Sequence, residues 1–266
     1  MQSKKMDSQI NKDECRLNAL SGAGFKIDIT GINIAASRGL VWLKEQQPEA
    51  IKDISRSVQA LTVWNESAST QIEKLLSLKK DGYWKTQTPL TDTARACIAL
   101  CGSGKVQPET VRWIREQQRD DNWNNSEIDT AYALMALGEC RIKNENGCNW
   151  LVSNYGKKWE HPGTTSLIIT ALSIQNKEKY RGFLSNRASW LLSKKEDGGW
   201  TYIATSNLVI QALILAGTKE EDITPSIKWL LGKQQENGSW KDIISTTLSL
   251  ITLKMYLDKL NSISKK

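Results

Sequence analysis

The sequence predicts an all-α fold in which pairs of helices stack side by side into a closed ring. Two observations point to it. The 266-residue chain has 11 tryptophans but only 2 phenylalanines and 6 tyrosines, a bias expected when tryptophan fills one position of a repeating unit. Six apolar segments with an Ala-Leu-like ending also recur, with their last residues 35 to 41 positions apart. That period is typical of stacked helical repeats.

The six recurring segments are predicted to be the inner helices of the ring. Each is apolar on nearly every side, which indicates a helix that is buried all round. A short pair of helices cannot bury such a segment alone, so the pairs must stack, and burial on every side requires the stack to close. The segments are 53–61, 92–100, 129–137, 164–172, 205–213 and 245–253.

Each inner segment follows an outer unit, which in five of the six repeats ends in a tight turn. The outer unit has apolar residues at helical spacing and Lys, Glu and Gln on its other face, which predicts an amphipathic helix. Asp-Gly, Gly-Gly or Asn-Gly then ends the helix in several copies. Ten tryptophans occupy two positions of this unit, and we interpret them as structural. They are Trp42, Trp113, Trp150, Trp190 and Trp229 in the helix, and Trp84, Trp123, Trp159, Trp200 and Trp240 at the end of the turn.

Composition and charge restrict location and partners. No apolar run approaches the roughly 20 residues of a membrane span, and the N-terminus lacks the apolar core of a secretory signal. The five cysteines are therefore predicted to be reduced thiols in a cytoplasmic protein. The net charge of +7 is spread along the chain, and no nucleic-acid-binding motif accompanies it. Residues 1–30 are predicted to form a polar N-terminal arm or capping segment, and residues 31–266 the ring domain.

The turn at 234–240, QQENGSW, resembles the QW motif of squalene and oxidosqualene cyclases, which protein prenyltransferase β subunits share in degenerate form. Gln234, Gly238 and Trp240 carry its Gln-x-x-x-Gly-x-Trp spacing, and looser copies occupy 117–123 and 194–200. The resemblance covers about residues 35–260. It implies an α/α toroid of six inner and six outer helices around a central cavity. It implies no single activity, because the fold serves cyclases, transferases and protein-binding domains.

The stretch NNSEIDTAYALMAL, residues 124–137, holds the candidate catalytic acids. The resemblance implies an Asp-x-Asp-Asp motif before Thr-Ala, whose middle acid must stay protonated in an apolar cavity. Alignment on Thr130 places Asp129 at the last acid and Ile128 at the catalytic one. A shift by one residue matches an Asp-x-Asp-Thr variant and makes Asp129 the acid, with Glu127 beside it. The alternative is that Asp129 is a helix N-cap, because its position holds Asp, Thr or Ser in all six segments.

A prenyltransferase-like zinc site of Asp, Cys and His is not predicted. The only histidine, His161, lies before an inner-helix start, at the same end as Asp92. Cys97 and Cys101 lie toward the other end of their helix, and Cys140 lies past the end of the next one. The sequence therefore predicts buried reduced cysteines, no metal and no cofactor.

A second group of candidates lies on the inner segments. Two arginines there match an anion clamp, because a guanidinium binds a diphosphate or a carboxylate bidentately. Tyr132 is nearly the only aromatic residue on these segments, which argues against the aromatic walls that guide carbocations. The predicted ligand-binding residues are Arg56, Arg95, Tyr132, Asn207 and Gln211.

The sequence thus predicts a divergent terpene cyclase- or prenyltransferase-fold protein that binds an isoprenoid-like or peptide ligand in its central cavity. Any catalysis would be centred near Glu127 and Asp129. The alternative is a non-catalytic scaffold that binds a protein partner at the mouth of the ring. An open apolar cavity favours the first hypothesis, and a filled centre with an exposed patch favours the second.

Overall fold

Twelve α-helices make up the part of the chain that the computed structural model describes, residues 28–157 and 160–263. Residues 1–27 of the predicted N-terminal arm (1–30) and Trp159 lie outside these residues, and the last two residues of that predicted arm already belong to the first helix. The helices are α1 (Ile29–Lys44), α2 (Ile51–Val63), α3 (Ser69–Ser77), α4 (Pro89–Gly102), α5 (Pro108–Glu116), α6 (Glu127–Glu139), α7 (Glu145–Asn154), α8 (Pro162–Asn176), α9 (Arg181–Ser193), α10 (Ile203–Ala216), α11 (Glu220–Gly232) and α12 (Ile243–Ile263).

The even-numbered helices form an inner ring. Each packs against the next even-numbered helix, from α2 through α12, and α12 packs back against α2. The inner helices α10 and α12 run in the same direction, because Asn207 and Gln211 of α10 bond successive levels of α12, at Ser249 and Thr252. The ends of α4 and α6 also meet, since the Cys101 thiol donates to the Glu139 carbonyl oxygen. The starts of the inner helices therefore lie at one mouth of the ring. This arrangement confirms the predicted all-α toroid.

The odd-numbered helices lie outside the ring, each against the inner helices beside it, and α1 packs against α12. The turn that follows α11, at residues 234–240, holds α1 in place. Gln234 Nε2 donates to the carbonyl oxygens of Ala35 and Gly238, at 2.8 Å each. Gly238 has φ +89°, and a Cβ there would lie 2.6 Å from the carbonyl oxygen of Arg38. Only glycine tolerates both the left-handed backbone and this close approach.

Four tryptophans at the ends of turns make the same two hydrogen bonds, as expected of structural residues. Their indoles are buried, and each Nε1 donates to a carbonyl oxygen of the preceding outer helix at 2.8 to 2.9 Å. Each backbone N–H donates to a Thr or Ser hydroxyl in the first two turns of the following inner helix. One side chain therefore links the two helices of a pair. The tryptophan–hydroxyl pairs are Trp84–Thr93, Trp123–Thr130, Trp200–Ser206 and Trp240–Thr246.

The inner helices begin earlier than the repeated Asp, Thr or Ser position predicts. That position is the third helical residue in five inner helices and the fourth in α4. The N-cap interpretation of Asp129 is therefore wrong. The N-cap of α6 is Ser126, whose hydroxyl accepts a hydrogen bond from the Asp129 N–H at 3.2 Å. Asp129 lies in the first turn of α6, where the positive end of the helix dipole stabilises a carboxylate.

Candidate ligand site in the lumen of the ring

One level of the inner ring divides into a polar half and an apolar half. This level consists of the sixth residue of each inner helix, except in α4. Because α4 starts one residue earlier relative to the repeat, its seventh residue is the equivalent one. Three consecutive helices contribute Arg56, Arg95 and Tyr132. The other three contribute leucines, which are Leu167, Leu208 and Leu248.

The three polar side chains meet inside the ring. Arg56 Nη2 donates a hydrogen bond to the Tyr132 hydroxyl at 3.3 Å, although α2 and α6 are separated in the ring by α4. The guanidinium carbon of Arg95 lies 4.3 Å from the centroid of the Tyr132 ring, a cation–π distance. The structure thus joins three of the five predicted ligand-binding residues into one cluster.

A single carboxylate is ion-paired within this cluster. Arg95 Nη1 lies 3.0 Å from Asp92 Oδ1, one turn earlier on α4. The hydroxyls of Thr86 and Thr88 donate to the other oxygen of Asp92, at 2.8 and 3.0 Å. Asp92 is therefore held in place by three donors, and it fixes Arg95 in the position that covers Tyr132.

Burial dominates the electrostatics of Arg56. Removal of the guanidinium from water lowers the pKa of Arg56, and the nearby charge of Arg95 lowers it further. Burial also opposes ionisation of Tyr132, but the charges of Arg56 and Arg95 outweigh it, so the pKa of the phenol is lowered. Two guanidiniums thus lie close together in one region. The carboxylate of Asp92 forms an ion pair with Arg95 and not with Arg56. This arrangement favours a bound anion near Arg56.

Asp53 lies one turn before Arg56 on α2. Burial raises the pKa of its carboxyl, although the charges of Lys52 and Arg56 oppose the rise. Its Oδ1 atom is buried and accepts no hydrogen bond within the described part of the chain. The carboxyl is therefore a weak partner for Arg56 and a candidate proton donor at this end of the ring.

Asn207 and Gln211 do not join the cluster. The side-chain amide of Asn207 donates to Ser249 Oγ at 3.0 Å, and that of Gln211 donates to Thr252 Oγ1 at 2.9 Å. Both bonds tie α10 to α12, so these two residues pair inner helices.

Glu127 and Asp129, the predicted acids, lie in the first turn of α6 at the mouth where the inner helices start. Asp129 Oδ2 accepts a hydrogen bond from Asn124 Nδ2 at 2.8 Å, and Ile128, in the aligned acid position, is 40% exposed. His161 is at the same mouth as the N-cap of α8, where its Nδ1 accepts from the Gly163 N–H. Within residues 28–157 and 160–263, no group of three or more His, Cys, Asp and Glu is arranged to hold a metal ion.

Sequence reasoning missed the importance of Asp53 and Asp92. It grouped them with Asp129 as caps, because the same position holds a capping residue type in every segment. The available signal was the spacing to the next arginine. In both helices an arginine follows the aspartate by three residues, which places the two side chains on one helix face.

Comparisons with known proteins support the fold. No protein-family model matches the chain, and no curated protein sequence matches it. The structure is similar to the type II terpene cyclase MstE from Scytonema, with a TM-score of 0.70 at 14% identity over 88% of this chain and 100% of that one. It is similar to ent-copalyl diphosphate synthase from Streptomyces platensis, with a TM-score of 0.60 at 16% identity over 80% of this chain and 50% of that one.

A third similar structure is native alpha-2-macroglobulin from Escherichia coli, from domain MG7 to the C-terminus. Its TM-score is 0.57 at 13% identity, over 83% of this chain and 42% of that one. No helix within the described residues is long and apolar enough to cross a membrane. The closed inner ring and these likenesses together show that the fold of the chain is an α/α toroid similar to that of type II terpene cyclases.

Proposed function

We propose that this chain binds an isoprenoid-like ligand with an anionic head group in the lumen of its ring. The observation that carries the proposal is the divided level of the inner helices. Arg56 and Arg95 occupy one side with Tyr132, and leucines occupy the equivalent positions of the other three helices. A ligand that combines an anion with a hydrocarbon chain matches both halves.

The charge of the cluster supports an anionic head. Arg56 is half-buried, and its side chain donates a hydrogen bond to the hydroxyl of Tyr132 rather than to a carboxylate. A buried charge is costly unless it is paired, and a carboxylate or diphosphate pairs with a guanidinium bidentately. The MstE complex offers a chemical parallel, because the substrate named for it is geranylgeranyl dihydroxybenzoate, an isoprenoid chain joined to a benzoate.

The same cluster favours binding over cation cyclisation. Tyr132 is the aromatic residue of this level, and the Arg95 guanidinium already covers its ring face. A carbocation at that face would meet the charges of both arginines. We therefore propose that Arg56 and Arg95 bind the anionic head group of the ligand. Glu127 and Asp129 remain candidate acids at the mouth of the ring, and we assign no catalytic step to them.

Isothermal titration calorimetry with matched probes tests this function. Geranylgeranyl dihydroxybenzoate or geranylgeranyl diphosphate should bind, and neutral geranylgeraniol should bind about tenfold more weakly or worse, because it leaves Arg56 unpaired. Arg56→Gln should remove the preference for the anionic probes. Arg181→Gln, on the exposed side of α9, is the matched control and should keep it. Equal affinities for charged and neutral probes in the unaltered protein would overturn the proposal.

A further inference from the structure

Three thiols cluster in the half of the ring away from the mouth where the inner helices start. Cys97, in the second half of α4, has its sulfur 3.8 Å from the sulfur of Cys140, which is the C-cap residue of α6. The Cys101 thiol donates to the Glu139 carbonyl oxygen at 3.1 Å. All three are free thiols, of which Cys97 is buried and the other two are half-buried.

Cys140 lines a pocket whose charged wall is mainly basic. The pocket has a volume of about 520 Å³ and lies between α5 and the ends of α4 and α6. Arg112, Arg115 and Arg141 contribute three guanidiniums, and Glu139 contributes one carboxyl. Val106, Val111 and Ile142 supply an apolar wall among the remaining residues. An anion that enters this pocket meets a net positive charge beside a thiol.

We propose that Cys140 and Cys97 form a thiol–disulfide exchange site for small anionic disulfides, with Cys140 as the attacking sulfur and Cys97 as the resolving one. The accessibility of the two sulfurs sets the order. Cys140 faces the pocket, whereas Cys97 is completely buried behind it and cannot meet an external disulfide first. The reaction is independent of the ligand proposed for the lumen.

The two steps balance without a further oxidant. In the first, the Cys140 thiol gives up its proton, and the resulting thiolate attacks one sulfur of the external disulfide, forms a mixed disulfide and releases one thiolate, which takes up that proton. In the second, the Cys97 sulfur attacks Cys140, passes its proton to the departing group and releases a second thiol. The protein loses two electrons and two protons to become the Cys97–Cys140 disulfide, and the external disulfide is reduced to two thiols.

The environment of Cys140 supports its role. The hydrogen bond between the sulfurs of Cys97 and Cys140 lowers the pKa of Cys140 to about 7, against the opposing effect of burial. The same bond and burial raise the pKa of Cys97, which keeps it protonated until Cys140 has reacted. Cys140 also lies outside the regular helix, and Arg141 after it has a left-handed φ of 60°, so the two sulfurs can approach through a change in a turn.

Glutathione disulfide, which carries several carboxylates, is the anionic probe, and cystamine, a dicationic disulfide, is the matched control. Intact-mass spectrometry of the full chain should show the loss of two hydrogen atoms with glutathione disulfide. Peptide mapping should assign the new bond to Cys97 and Cys140. Cys97→Ser should instead accumulate one glutathionyl adduct on Cys140. The double variant Arg112→Gln, Arg115→Gln should react about tenfold more slowly with glutathione disulfide and no more slowly with cystamine.

Three results would overturn the proposal. They are a stable glutathionyl adduct on the unaltered protein, a disulfide that maps to Cys101 and Cys140, and a reaction with cystamine that is as fast as that with glutathione disulfide. The peptide map of the unaltered protein decides the first two, so the test stands even if Cys97→Ser folds poorly.

Discussion

Arg56 on α2 donates a hydrogen bond to the hydroxyl of Tyr132 on α6, two helices away around the ring, at 3.3 Å. The bond crosses the lumen and holds a positive charge in a place where burial lowers the pKa of the guanidinium. A stability role and a binding role for Arg56 give opposite expectations, which the first prediction separates.

Arg56→Met should leave the free energy of unfolding within about 1 kcal/mol of the unaltered protein, or raise it. Methionine matches the length of the arginine stem, and removal of a buried charge saves its desolvation cost. The change also relieves the repulsion from Arg95. Urea denaturation followed by tryptophan fluorescence measures the effect. A loss of more than about 3 kcal/mol would show that the guanidinium stabilises the fold, and the binding proposal would lose its main argument.

The hydroxyls that bond the turn tryptophans should matter for stability. Thr246 Oγ1 accepts the Trp240 backbone N–H at 2.8 Å in a fully buried place. Thr246→Val keeps the shape but leaves that N–H without its acceptor, so it should cost about 1–3 kcal/mol in urea denaturation. Thr246→Ser retains the hydroxyl and is the control. If valine and serine cost the same, the hydrogen bond contributes nothing beyond packing.

The sequence predicted the ring and the role of four buried turn tryptophans because both depend on patterns that recur along the chain. A segment that is apolar on every side, such as 129–137, can be buried in few ways. A closed ring buries all six such segments together. The first residue of each inner helix was harder to predict. The residue at the actual N-cap differs from one inner helix to the next, as at Ala50, Thr88, Ser126 and Tyr202, so no recurring position marks it.

The lumen cluster could be predicted only in part, because it depends on which helices face each other. The sequence singled out Arg56, Arg95 and Tyr132 as unusual on apolar helices, but it could not show that Arg56 reaches Tyr132 past α4. That contact depends on the diameter of the ring and on the register of three helices. For the same reason, the sequence could not show whether Asn207 lies in the α10–α12 contact or faces the centre of the ring.

The corrected start of α6 gives a third prediction. Ser126→Ala removes the hydroxyl that accepts the Asp129 N–H and should cost about 0.5–2 kcal/mol. Asp129→Asn keeps that bond and loses only a charge near the helix start, so it should cost about 0.3–1 kcal/mol. Thermal denaturation of the two variants side by side measures the difference. A larger loss for Asp129→Asn would restore Asp129 as the main stabilising residue of this turn.

The reactivity of Cys140 should report its hydrogen bond from Cys97. The rate of Cys140 alkylation by iodoacetamide, followed by peptide mass spectrometry, should rise with pH around a midpoint of about 7, since the thiolate is the nucleophile. Cys97 is the main cause of the lowered pKa, Cys101 adds to it, and burial and the Glu139 carboxylate oppose it. Cys97→Ala removes the donor and should move the midpoint upward, toward the ordinary cysteine pKa of about 8.5. Cys97→Ser keeps a hydroxyl donor and should move it less. An unchanged midpoint in Cys97→Ala would mean that another group sets the reactivity of Cys140.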